Sequence, residues 1–328
     1  MIVALTGNEM LKIFRRKRFR VVVLILVCLT AMIAYGNWRS RRDAALRHGP
    51  RDWRAETQHR IVEMQNQLRS RQIPDSYRRW MTYETSRLQY SLDHGFDPNA
   101  LTGPFFSRHF IVAASFLLLP LLVTLFASDL VSSEVSRGTI KILLTRPVRR
   151  WKVLGAKTLA LFACVTLTVV LGGIVSYLFG GTAFGFRGWG APMLTGFRSS
   201  AGGLDVSAVR QIPLWRDALR LYGLGWFAAL VVGAVSLLLS VVFRTTAAAM
   251  GTMLAVMIAG TILPRFATEW EFSKYLFPTN LPLPDYYAGT PPPIAGMTLA
   301  FSVENLAIWG IAALLAAFLL FTRRDVKG

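Results

Sequence analysis

The sequence predicts an all-α membrane protein with six transmembrane helices, an N-terminal amphipathic interfacial helix and a helical extracytoplasmic insert between transmembrane helices 1 and 2. Three observations predict this. Six apolar stretches have about the length, roughly 17–25 residues, that a helix needs to cross a bilayer core. The 328 residues are 53% hydrophobic with a mean hydropathy of +0.42, whereas soluble domains run at about 45–50% apolar. The same chain carries a formal net charge of +19. High apolarity and high charge conflict in a soluble fold. They are compatible in a bilayer protein whose loops hold the charge and meet anionic head groups.

The elements follow in order. Residues 1–20 form a cytoplasmic amphipathic segment, in which Met10, Ile13 and Phe14 share one helical face among Glu9, Lys12, Arg15 and Arg16. Such a segment lies on the leaflet or simply orients the first span as a basic flank. Residues 21–37 are the first span. A signal peptide is the rival reading of residues 1–36, with Ala31 and Ala34 as its small residues. The apolar run exceeds the usual 7–15 residues of such a peptide and no clear small-x-small site precedes Trp38, so a retained helix is expected.

Residues 38–109 form an extracytoplasmic helical lobe. Ile61, Met64 and Leu68 mark one apolar stripe; Pro74 breaks it, Asp75 and Ser76 offer a cap, and Tyr77, Trp80, Met81, Leu88 and Leu92 mark the next. Two helices are expected, gating or recognising cargo or supplying packing and assembly surface. Residues 110–127 are the second span, 128–152 a cytoplasmic loop, and 153–179 the third span. Residues 180–220 are a Gly-rich, weakly patterned outer loop, 221–243 the fourth span and 246–263 the fifth, joined by a tight turn at Arg244-Thr245. Residues 264–300 are an outer loop rich in proline and aromatic residues, suited to an interface belt. Residues 301–321 are the sixth span and 322–328 a cytoplasmic tail.

Orientation follows from lysine and arginine near the span ends. Lys12, Arg15, Arg16, Lys17, Arg18 and Arg20 precede the first span; Arg137, Lys141, Arg146, Arg149, Arg150 and Lys152 lie between the second and third; Arg323, Arg324 and Lys327 follow the sixth. With six spans these share one side, so both termini are expected in the cytoplasm of a multi-pass cell-membrane protein. The lobe objects with 13 arginines against eight acids between Trp38 and Arg108. The rule governs loops shorter than about 60 residues, and this one is longer.

Catalytic chemistry is absent from the pattern, and no enzyme activity, bound cofactor or metal site is expected in this chain. His48, His59, His94 and His109 are scattered through one outer segment, without metal-ligand spacing. Cys28 and Cys164 fall in apolar stretches and read as small core hydrophobes. Gly155-Ala156-Lys157-Thr158 resembles a fragment of a phosphate loop but lacks its spacing and enters an apolar helix. No nucleic-acid motif accompanies the charge. The first, second, fourth and fifth spans hold no Asp, Glu, Lys or Arg, which disfavours an ion-coupled carrier or channel. Lys157, near the end of span three, is expected to snorkel. Ala247, Gly251, Ala255 and Ala259 recur every four residues on span five, a helix-packing face for close approach.

The cytoplasmic loop between spans two and three carries the functional signal. It places Glu134 before an Arg137-Gly138-Thr139 break, then a short apolar patch containing Leu143 and Leu144, then Pro147, Arg149 and Arg150, with Gly155 and Lys157 re-entering the bilayer. An apolar patch on a cytoplasmic loop needs a partner surface or the membrane interface. This run, the basic amphipathic start Asn8–Arg18 and the six-span layout resemble the permease subunits of type-2 ATP-binding-cassette (ABC) exporters. The lobe after span one occurs in only some branches of that family. The resemblance implies a permease that moves a substrate with energy from ATP bound and hydrolysed by a separate cytoplasmic ABC ATPase subunit. It also implies pairing with a second permease chain, identical or different. Glu134, Arg137, Gly138, Thr139, Leu143, Leu144, Pro147, Arg149 and Arg150 would then form the ATPase-coupling element, with the amphipathic start as second contact. The alternative is a non-transporting membrane assembly or sensor protein acting through its extracytoplasmic lobe.

Overall fold

A computed structural model describes residues 2–15, 17–49, 51–69, 75–95, 97, 100–139, 149–195, 198–200, 203–205, 209–266, 271–288, 294 and 296–323. The chain is mostly helical, at 82%, and among the described residues five helical segments, Arg18–Arg47, Leu118–Ser136, Arg150–Phe184, Leu214–Val242 and Leu299–Arg323, are long and apolar enough to cross a membrane. It is a helical membrane protein.

The N-terminal helix α1 (Ile2–Arg15) is separated from α2 (Arg18–His48) by a sharp turn at Lys17, the one described non-glycine residue with positive φ (59°). Helix α2 runs well past the apolar stretch 21–37. Its 31 residues span about 46 Å at ~1.5 Å per residue, against a hydrocarbon core of about 30 Å. Trp38–His48, assigned by sequence to the lobe, is thus the continuation of the first spanning helix. Helices α3 (Trp53–Leu68) and α4 (Asp75–Asp93) follow as a hairpin closed by Ile61, Met64 and Leu88, with Trp80 and Leu92 at its margin. The Asp52 carboxylate caps α3, accepting from the Arg54 and Ala55 amides.

The second apolar stretch is broken into α5 (Gly103–Phe116) and α6 (Leu118–Ala127), with Leu117 outside helical geometry (φ −131°, ψ −47°). Pro120 explains the break: it has no amide to donate to the carbonyl of Phe116, and its ring crowds that carbonyl. After a turn comes the short α7 (Ser132–Ser136), then α8 (Arg150–Phe184), 35 residues long. Helices α5 and α8 cross at glycine. A Cβ on Gly103 would meet Gly181 Cα at 2.7 Å and the Gly185 carbonyl oxygen at 2.9 Å, so only glycine permits this approach.

The Gly-rich stretch 180–220 departs from the all-α expectation. Strand β1 (Pro192–Thr195) pairs antiparallel with β4 (Arg210–Pro213), and β2 (Arg198–Ser200) with β3 (Gly203–Asp205). Pro192 and Pro213 face each other at the end of the first ladder, where a missing amide costs least.

Helix α9 (Leu214–Val242) is central, packing against α5, α6, α8, α10 (Thr246–Phe266) and α12 (Leu299–Arg323). The main apolar cluster has Phe126, Leu154, Leu161, Cys164, Val232 and Leu306 among its buried members. A 3-10 turn at Pro278–Asn280 folds back so that Pro278 sits where a Cβ on Gly260 would be, and the short α11 (Asp285–Ala288) follows.

Candidate functional site

The most charged buried region lies where α1, the α6–α7 turn and the start of α8 meet. Ile13 docks α1 by inserting into the core, with Met10 and Phe14 packed beside it. Glu9 stands four residues before Ile13, so it shares that inward face and is only 6% exposed. Lys157 on α8 is 1% exposed, which replaces the expectation that it snorkels. Its Nζ lies 2.8 Å from Glu9 Oε2, 2.8 Å from Glu134 Oε1 and 3.0 Å from the Leu130 carbonyl oxygen. A lysine ammonium has three protons, and these three acceptors match them. Lys12 bridges the same two carboxylates from the solvent side, bonding Glu9 Oε1 and lying 3.3 Å from Glu134 Oε1.

The electrostatics are mutual. Burial opposes ionisation of Glu9, but Lys157 and Lys12 outweigh it and hold the carboxyl below its ordinary range. Burial likewise opposes the Lys12 ammonium, and its hydrogen bond to Glu9 with the Glu134 charge outweighs it, raising the amine above its ordinary value. Deep charges persist only when compensated in this way.

A second polar layer fastens this cluster to the rest of the bundle. The Val131 and Ser132 amides both donate to Ser240 Oγ at 3.0 Å, and that hydroxyl donates to the Ser128 carbonyl at 2.8 Å. Thr246 Oγ1 donates to Asp129 Oδ1 at 3.1 Å, and Arg18 reaches the same oxygen at 3.2 Å. The turn after α6 is therefore tied to α2, α9 and α10 together.

Among the loop residues singled out by sequence, Glu134 lies at the centre of the ionic cluster. Arg137, Gly138 and Thr139 follow α7 at the surface, Gly138 with φ +70°, and Thr139 Oγ1 lies 3.4 Å from the Glu134 carbonyl. Arg149 precedes α8, and Arg150 opens it and donates to the Thr322 carbonyl of α12 at 3.3 Å. Leu143, Leu144 and Pro147 lie outside the described residues. The small-residue stripe Ala247, Gly251, Ala255 and Ala259 is exposed along α10, while the opposite face, with Ala249, Met253 and Met257, is buried in this chain.

One buried pair escaped the sequence reading. Arg108 Nε lies 2.6 Å from Asp217 Oδ2, and the two side chains are 6% and 0% exposed. Asp217 falls outside the apolar stretch 221–243 but inside α9, which begins at Leu214. The Ser107, Ser176 and Tyr222 hydroxyls cluster one residue and one turn away, at 2.8–3.1 Å from one another. No spacing rule joins positions 109 residues apart; the only local signal was an acid in the first turn of a helix.

These features define a helical membrane protein whose N-terminal helix is bonded through buried charges to the turn that ends its second apolar stretch. Residues 80–327 match the family described as "Protein of unknown function (DUF2705)", and the chain belongs to that family. It is similar to "Uncharacterized protein YhcI" of Bacillus subtilis (strain 168), at 30% identity over 324 residues, 97% of each chain. It is also similar to "Uncharacterized membrane protein YdbK" of the same organism, at 28% identity over 213 residues, 64% of this chain and 79% of the relative.

Proposed function

We propose that the chain is the membrane-spanning permease subunit of a type-2 ABC exporter, moving its substrate with ATP hydrolysed by a separate cytoplasmic ATPase subunit. In this reading α10 is the fifth of six spans and both termini are cytoplasmic. Helices α3 and α4 form an outer lobe, α1 lies at the cytoplasmic interface, and two permease chains pair. The observation that carries the reading is the Glu9–Lys157–Glu134 cluster. The two segments whose residues resemble the exporter family, the amphipathic start and the loop after span two, are bonded to one another and to α8. A push on the loop at Arg137–Thr139 therefore moves α1 and α8 with it. That is what a coupling element must do when the energy is released outside the membrane.

The test is co-purification. A tagged chain is expected to bring down an ABC-type ATPase, and Gly138→Asp or Leu143→Asp is expected to lower the ATPase activity of the complex several-fold. An ATPase that stays bound and keeps full activity in both variants sinks the coupling assignment.

A further inference from the structure

Helix α8 ends in a turn that gathers aromatic side chains at the surface of the bundle. Gly185 (φ +93°) and Gly188 (φ +120°) adopt backbone conformations that residues with side chains disfavour, and the chain reverses there. Phe186 is thereby laid on α8: a Cβ on Gly181 would meet its ring at 2.2 Å. Tyr177, one turn before Gly181, donates from its hydroxyl to the Phe186 carbonyl at 3.0 Å. Its ring meets Phe186 edge-on at 5.6 Å between centroids and Trp189 at 5.2 Å. The Trp189 carbonyl accepts from the Trp215 amide at 3.0 Å, which brings the first turn of α9 alongside.

The resulting face is aromatic and basic, and it continues into an apolar stripe. Phe186 is 47% exposed and Trp215 48%. Arg216 lies over the Trp215 ring at 5.5 Å, and Arg187, next in the chain to Phe186, is exposed. Along α8 towards the middle of the bundle, Leu178, Ile174 and Val170 follow at four-residue spacing, each half exposed. Such a stripe meets hydrocarbon in a helical membrane protein. Aromatic rings and arginine at its end have the chemistry of the head-group layer, where rings sit between lipid chains and water and guanidinium groups meet phosphate.

Helix lengths place this face at the right level. The other end of α8 carries Trp151, 45% exposed, with Lys152 Nζ 5.6 Å from its ring centre. From Trp151 to Tyr177 along α8 is about 39 Å on a rise of ~1.5 Å per residue. From Trp215 to Val242, the end of α9, is about 40 Å on the same rise. A bilayer measures about 40–45 Å with its head groups, so two helices give matching levels independently. We propose that the turn after α8 and the start of α9 form a membrane-interface anchor, with Phe186 and Trp215 in the head-group layer and Arg187 and Arg216 against its phosphates. This layer lies at the end of the bundle away from the Glu9–Lys157–Glu134 cluster. The assignment rests on the membrane fold alone and stands apart from the permease reading and from which side is cytoplasmic.

The full chain in phosphatidylcholine vesicles tests it, with a nitroxide on single cysteines in a Cys28→Ala background, Cys164 being buried. Collision with oxygen, which concentrates in hydrocarbon, is compared with collision with a water-soluble nickel chelate. Val170→Cys is expected to read the hydrocarbon, and Gln67→Cys, exposed on α3, to read water. Phe186→Cys and Trp215→Cys are expected to share one level between the two. Circular dichroism checks that each labelled chain folds, and Trp215→Cys carries the test by itself where losing the Phe186 ring unsettles the turn. An oxygen-to-nickel ratio in a folded Phe186→Cys or Trp215→Cys chain equal to that of Gln67→Cys or of Val170→Cys overturns the proposal. Little collision with either reagent assigns the face to a protein contact and equally overturns it.

Discussion

Lys157 is the residue on which the buried ionic cluster turns. With its three protons committed to Glu9, Glu134 and Leu130, it cancels, together with Lys12, two carboxylates that would otherwise face each other in a buried space. Removing one partner of such a cluster costs about 3–5 kcal/mol, whereas replacing every member by an apolar or neutral group of similar volume is often near neutral. Lys157→Met is therefore expected to lower the thermal unfolding midpoint in detergent sharply, and Glu9→Gln/Glu134→Gln/Lys157→Met to recover most of the loss. A single variant as stable as the wild type would show that the charges are not coupled. The sequence held half of this. The apolar face of Met10, Ile13 and Phe14 was readable, but Glu9, set by sequence among the charges around that face, is turned inward with Ile13; its partner 148 positions away was not readable, because a helical period states a face and never names the neighbour.

At the scale of elements, legibility divided along the same physical line. Long apolar runs were plain, since bilayer length is a local property; the break before Pro120 fell inside the stretch 110–127 that was expected as one span. Helix ends were not plain. Trp38–His48 is polar, yet its arginines, alanines and leucine are good helix formers, and Arg39 pairs with Asp43 at i+4 while Arg42 lies over the Trp38 ring. The strands between Pro192 and Pro213 were equally hidden, being only three or four residues each. Helix α10 is the informative case. Its small-residue face was readable, and the fold leaves that face open: a Cβ on Gly251 meets nothing within 4 Å. Small faces permit close approach between membrane helices, so in the proposed pair this is the face expected to meet the second chain. Gly251→Leu is expected to leave the unfolding midpoint of the single chain unchanged while shifting cross-linking and sedimentation from dimer to monomer. Undiminished dimerisation would move the interface elsewhere.

For the whole molecule the open question was how 13 arginines between Trp38 and Arg108 fit an outer location. The fold supplies two arguments. The first is that the short basic segments gather at one end. Helix α1 is bonded to α7 and α8 through Glu9, Glu134 and Lys157, and Arg150 bonds the end of α12, so Lys12, Arg18, Arg150 and Arg323 stand together. Positive charge beside short loops sets orientation, and these segments hold more of it than the loop 180–220, which carries Arg187, Arg198, Arg210, Arg216 and Arg220. The second is that the lobe arginines are partly answered within their own domain, as in Arg51 with Glu56 and Asp97 and Arg87 with Glu84. Long domains cross with little regard to such charge. Orientation is then tested with single cysteines in a Cys28→Ala background, Cys164 being buried. Gln67→Cys, exposed on α3, is expected to react with a membrane-impermeant maleimide on intact cells. Val3→Cys and Arg137→Cys, also exposed, are expected to react only after permeabilisation. The reverse pattern would invert the molecule, place the lobe beside any cytoplasmic partner, and remove the docking role from the loop after α7.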